Sequence, residues 1–207
     1  MSDLRPKIVL ASGSPRRAEL LSRLGLPFVV RVSGVDEAGL EHLSPPEQAR
    51  ELARLKARAV WQPGDWVLAA DTVVALEDRV LGKPADQAEY RHFIRLLSGR
   101  KHTVFTGFVL LDPAGTEHAQ VEPAEVFFRS LADWEIEWYV ASGEGMDKAG
   151  AYGVQEKGMV LVERLEGDFY TVMGLPVARV WEALSRAGYP LVEPAIPWGQ
   201  NEVGADD

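Results

Sequence analysis

The chain contains no cysteine and only four histidines in its 207 residues. Disulfides, thiolate catalysis and cysteine-ligated zinc are thereby excluded, so a bound metal has to be held by oxygen ligands or by those histidines. A hard cation such as Mg²⁺ or Mn²⁺ is the natural candidate. No apolar run approaches the roughly 20 residues that span a bilayer, and the start around Asp3 and Arg5 lacks the apolar core of a secretory signal. No membrane partner is expected, and the cytoplasm is the expected compartment. Cations are in deficit: 22 Lys and Arg against 31 Asp and Glu leave a formal charge of −9. A nucleic-acid-coating surface needs the opposite sign, so no nucleic acid is expected, and any polyanionic ligand must be met by a local basic cluster. What remains is an ordinary globular composition, 46% hydrophobic and 26% charged, of a length suited to one domain or two small lobes.

Apolar periodicity and punctuation give the elements. A buried strand at Lys7–Ala11 runs through a Ser-Gly-Ser loop into a helix over 15–24, with Ser14 as N-cap, Pro15 at the first helical position and Gly25 as the stop. A second helix opens at Pro45-Pro46-Glu47, with Lys56 on its apolar stripe. "WVLAADTVVALEDRVLGKP" predicts a strand ending near Asp71-Thr72, then extended residues to Leu76, a turn at Glu77-Asp78 and a return through Val80-Leu81. A third helix is capped by Asp86 and ended by Gly99. Two strands meet at the Pro113-Ala114-Gly115 turn. A helix over 133–141 carries Trp134, Trp138 and Tyr139 as bulky core anchors, and residues 159–173 read as a hairpin before a last helix. This alternation of strand–helix units and hairpins predicts an α/β fold with a mixed sheet flanked by helices. Residues 1–188 read as a single domain and 189–207 as a poorly ordered Pro-rich, acidic tail.

Three stretches carry chemistry. In "VLASGSPRRAELL", a strand–loop–helix turn aims backbone N–H groups, the Ser12 and Ser14 hydroxyls and the helix dipole at one point, as phosphate sites do. Arg16 and Arg17 stand on a first turn that ordinarily favours acids, which makes sense opposite an anion; the spacing alone fits a plain capped helix with solvated arginines equally well. No Gly-x4-Gly-Lys-Ser/Thr Walker loop is present. Asp71 follows Val67-Leu68-Ala69-Ala70, and a carboxylate there either pairs within the protein or binds a metal. Glu37 and Lys83 are unremarkable taken singly. In "DKAGAYGVQ", small residues permit close backbone approach, while Lys148 and Gln155 add a charge and an amide; a connecting loop has the same composition.

Together, "LASGSPRRAELL", "AADTVV" with "GKP" after it, and "SGEGMDKAGAYGVQ" resemble, in that order, the Maf family of nucleotide pyrophosphatases over roughly residues 7 to 187. The resemblance implies a Maf/ITPase-like architecture, an elongated twisted sheet in two lobes around a central cleft. It also implies hydrolysis of nucleoside triphosphates between the α and β phosphates, giving monophosphate and pyrophosphate with Mg²⁺ or Mn²⁺. On this resemblance Asp71 is the proton acceptor, Glu37 and Lys83 assist catalysis, and Glu37 and Asp71 hold the metal. Whether Asp71 is base, ligand or both stays open. Ser12, Ser14, Arg16, Arg17, Lys56, Thr72, Lys148 and Gln155 then bind or select the substrate. Arg16, Thr72 and Gln155 match the dTTP/UTP branch, whereas the 7-methyl-GTP branch carries Asp-Gln in place of Asp-Thr; a Gln amide can partly match the imide edge of uracil or thymine. The alternatives are a 7-methyl-GTP-type Maf pyrophosphatase and a non-enzymatic nucleotide-binding regulator of septum formation, though the regulator would not need both carboxylates. An elongated homodimer fits the family.

Overall fold

In the computed structural model, residues 4–192 are described. Seven strands form one mixed sheet in the order β2-β1-β3-β5-β6-β7, with β4 paired to β3. In chain order the elements are β1 (Ile8–Leu10), α1 (Pro15–Arg23), β2 (Phe28–Val30), α2 (Pro45–Val60), β3 (Trp66–Leu76), β4 (Arg79–Leu81), α3 (Gln87–Leu97), β5 (Lys101–Leu111), β6 (Glu117–Phe128), α4 (Asp133–Ala141), β7 (Val162–Gly167), α5 (Phe169–Met173) and α6 (Val177–Arg186). β1 runs parallel to β2 and β3, and every other pairing is antiparallel. The expected mixed α/β sheet is present.

The pleat of β3 sorts the core into two layers. Val67 and Ala69 join Val9, Ala11, Ala53, Ala57 and Val109 beneath α2, whereas Leu68, Ala70 and Val74 join the larger core under the remaining helices. Side chains alternate between faces along a strand, so Asp71 faces α2 and Thr72 faces the opposite way. The helices are fixed by local signals. Ser44 and Glu47 form a capping box on α2, and the Asp86 carboxylate accepts from the Glu89 amide on α3.

Three expectations change. β3 does not end at Asp71-Thr72; it continues to Leu76 because β5 pairs with it from Val67 to Ala75. The hairpin over 159–173 is instead a single strand, β7, followed by the short helix α5. The Asp168 carboxylate accepts from the Tyr170 and Thr171 amides and turns a strand-like composition into a helix start. Trp134 and Trp138 are not core: they are 71% and 44% exposed, while Ile136, Tyr139 and Val140 supply the inward stripe of α4. Tyr189, at the start of the expected tail, is buried edge-on against Trp66 and donates to the Pro6 carbonyl at 2.6 Å. Residues 193–207 of that tail lie outside the described residues. No helix among the described residues is long and apolar enough to cross a membrane.

Candidate functional site

One edge of β3 changes partner partway along. β1 pairs with Trp66–Leu68 and β4 with Val74–Leu76, so among the described residues the stretch around Asp71 and Thr72 has no strand on that edge. A cleft of about 640 Å³ opens at this gap. Ser12, Ser14, Arg16, Arg17, Glu37, Lys56, Asp71, Thr72, Lys83, Lys148 and Gln155 all line it. Residues separated by more than a hundred positions in sequence therefore share one cavity.

On the α2 face the site is ionic. Lys56 Nζ lies 2.5 Å from Asp71 Oδ1 and 2.9 Å from Glu37 Oε1, joining two carboxylates through one ammonium. That is why a lysine stands on the apolar stripe of α2: its side chain is only 12% exposed, and burial there requires a countercharge. α2 comes this close to the sheet because Gly107 pairs directly with Asp71. A Cβ at Gly107 would stand 2.6 Å from the Ala49 carbonyl, far inside contact distance.

The two carboxylates that share Lys56 can also share a divalent cation, since hard oxygens suit Mg²⁺ or Mn²⁺. Among the described residues no group of three or more His, Asp or Glu side chains could hold a metal. The donor set thus fits a cation that takes one or two protein carboxylates and completes its shell with water and phosphate oxygens.

The loop from Ser12 into α1 has the expected form but a different use of its side chains. Ser14 occupies the N-cap position without a side-chain capping bond, and the first turn holds no acid. Ser12 Oγ instead accepts from the Ser14 amide at 3.2 Å and from Arg17 Nη1 at 3.1 Å. Arg17 also donates from Nε to the Gly174 carbonyl at 2.8 Å and from Nη2 to Thr72 Oγ1 at 3.2 Å. It clasps α1, β3 and the end of α5 together. Burial pulls its pKa below the ordinary arginine value, the Asp71 charge opposes that fall, and neighbouring Arg16 adds to it.

On the other face lies the loop expected to carry Lys148 and Gln155. Gly150 and Ala151 both adopt positive φ, +70° and +62°. The Gly150 amide donates to the Gly82 carbonyl at 3.1 Å, tying this loop to the turn that holds Lys83. Lys148 Nζ donates to the Glu144 carbonyl and to Asp147 Oδ1. The bond from Lys148 holds the Asp147 carboxyl below its usual range, and the charges of Lys148 and Arg16 contribute to the same shift.

Sequence reasoning missed three groups. Glu144 organises the loop: its carboxylate accepts from the Lys157 amide at 2.8 Å, the Gly158 amide at 3.1 Å and the Tyr139 hydroxyl at 3.2 Å. His102 and Tyr152 are hydrogen bonded at 2.7 Å and pack edge-on against Phe128. Burial alone pushes His102 down to about 4 and the Tyr152 hydroxyl well above the usual tyrosine range. Thr106 lies beside Thr72. Thr106 and His102 belong to a segment that reads as ordinary strand, while Glu144 and Tyr152 lie within the singled-out "SGEGMDKAGAYGVQ" stretch, where attention went to its small residues, Lys148 and Gln155.

The family model described as "Maf-like protein" matches residues 7–187. A dTTP/UTP pyrophosphatase from Thermus thermophilus is 56% identical over 189 residues, covering 91% of this chain and 99% of its own. One from Deinococcus radiodurans is 50% identical, covering 90% of this chain and 96% of its own. Among solved structures, a HAM1 protein from Coxiella burnetii matches with a TM-score of 0.49 at 19% identity, covering 87% of this chain and 99% of that one.

Proposed function

The chain belongs to the Maf-like family, and from that premise we propose that it hydrolyses dTTP and UTP between the α and β phosphates, releasing the nucleoside monophosphate and inorganic pyrophosphate. The observation that carries this reading is convergence: basic, acidic and amide side chains from separate motifs line one cleft, with Lys56 bridging Glu37 and Asp71.

A triphosphate is a polyanion, and an acidic protein has to neutralise it locally before a nucleophile can approach. In this reading Arg16, Lys83, Lys56 and the loop amides ahead of α1, which all line the cleft, take the phosphate chain. Asp71, a carboxylate projecting into the cleft, orients a water and accepts its proton as the oxygen attacks the α-phosphorus. The bridging bond from the α-phosphorus to the β-phosphate oxygen breaks, and the pyrophosphate leaves toward the cations. Glu37 and Asp71 would hold a divalent cation, whose chemistry is charge neutralisation and alignment of the phosphates. Thr72 and Gln155 face the base.

The test is pyrophosphate release from a panel of dTTP, UTP and 7-methyl-GTP, with and without Mg²⁺ or Mn²⁺. Preference for dTTP and UTP with metal present is expected. Equal or better turnover of 7-methyl-GTP would overturn the substrate, and binding without release would overturn the enzyme.

A further inference from the structure

Behind Thr72 runs a line of hydrogen bonds that no role above uses. Thr106 and Thr171 are both fully buried, and Thr106 pairs directly with Thr72 across the β3–β5 ladder. The Thr106 hydroxyl donates its only proton to the Thr171 carbonyl, 2.7 Å away. Its oxygen lies 2.9 Å from Thr72 Oγ1. With the Thr106 proton already committed, Thr72 has to be the donor in that contact. Arg17 Nη2 in turn donates to Thr72 Oγ1 at 3.2 Å. The chain therefore runs one way, from guanidinium to Thr72 to Thr106 to carbonyl. Neither end can reverse it, because a guanidinium accepts no hydrogen bond and a carbonyl carries no proton.

A hydroxyl has one proton and two lone pairs. The Thr72 proton points inward at Thr106, and one lone pair receives Arg17. What Thr72 has left for the cleft is a lone pair. The same face of the sheet carries the Gln155 loop, packed through Gly150 onto Val74.

We propose that Thr106 is a specificity-determining positioning residue: it holds Thr72 as a hydrogen-bond acceptor toward the cleft, so the site favours a base presenting an N–H there. The imide N3–H of uracil and thymine meets that requirement. Cytosine presents a lone pair at N3 and leaves two acceptors facing each other, the arrangement that hydrogen-bonding sites reject most strongly. The assignment rests on the dTTP/UTP reading and adds the device that would enforce it.

The experiment compares kcat/KM for UTP and CTP in the wild type, in Thr106→Val and in Thr106→Ser. Valine keeps the volume but removes the hydroxyl, freeing the Thr72 proton to turn toward the cleft and donate to cytosine N3. The UTP-to-CTP ratio is expected to fall by about tenfold or more in Thr106→Val and to stay within about twofold of wild type in Thr106→Ser. A purely structural role lowers turnover of both nucleotides and leaves their ratio alone. An unmoved ratio in a folded, UTP-active Thr106→Val protein overturns the assignment. Should that variant fail to fold, the wild type alone decides with N3-methyl-UTP, which lacks the N–H: a loss of at least about tenfold relative to UTP is expected, and equal turnover overturns the proposal. A wild type inert toward UTP would instead remove the function reading, and this assignment with it.

Discussion

The two faces of β3 build their halves of the cleft by different means. Toward α2 the contacts are ionic, Lys56 with Asp71 and Glu37, and Glu37 remains half exposed. Toward α5 and the 147–155 loop, apart from the Arg17 guanidinium and the Lys148–Asp147 pair, they are neutral or backbone-mediated: Thr72 to Thr106 to Thr171, His102 to Tyr152, Gly150 to Gly82. Charge can be offset by water and by a phosphate chain, so the ionic side suits chemistry on an anion. Neutral hydrogen bonds in a dry layer keep one direction and one geometry, so the other side suits discrimination between bases.

The largest effect that would sharpen this contrast is on the ionic face. Asp71→Asn is expected to lower kcat by about 10² to 10⁴-fold at saturating metal with an unchanged fold by circular dichroism; near-normal turnover would remove Asp71 as proton acceptor. Next come two glycines that set how closely each face is covered. Gly107→Ala pushes a methyl into the Ala49 backbone and should destabilise by about 3 kcal/mol. Gly150→Ala, with a φ of +70° and Val74 at 2.8 Å, should cost about 1–2 kcal/mol. Urea unfolding midpoints give both values, and the reverse order would mean that α2 is the more loosely seated cover.

His102 tests the neutrality of the other face. Its folded value of about 4 lies below the ordinary 6.5, so the unfolded chain takes up a proton first as pH falls. No stability is lost above pH 6.5 on this account. Between there and pH 4 stability should decline by on the order of 3 kcal/mol, at about 1.4 kcal/mol per pH unit. His102→Gln should flatten that limb in unfolding curves taken at several pH values, and an identical limb would show that other groups cause it.

The same contrast explains what could be read from sequence. The ionic face was legible because charged residues in odd places announce themselves: a lysine on an apolar stripe and an aspartate after Val67-Leu68-Ala69-Ala70, as do the arginines on the start of α1. The neutral face was not, since Thr106, His102 and Tyr152 gain their meaning only from neighbours on other strands. The continuation of β3 past Asp71 depends on β5, a tertiary partner that no local pattern reveals. Phe169-Tyr170-Thr171-Val172 has strand composition, and the Asp168 cap overrode it. Trp134 and Trp138 share the four-residue spacing of a core stripe, but the stripe two residues out of phase with them, Ile136 and Val140, took the interior. The smallest effect follows from this last point: Trp134→Ala should change stability by less than about 0.5 kcal/mol, and a larger loss would mean that the tryptophan is covered.

The most direct measurement of the central claim is hydrolysis of UTP with Mg²⁺ or Mn²⁺ in ¹⁸O-labelled water, followed by mass spectrometry of both products. Attack at the α-phosphorus predicts label in UMP alone, with unlabelled pyrophosphate as the co-product. Label in the pyrophosphate, or release of orthophosphate in its place, would contradict the account.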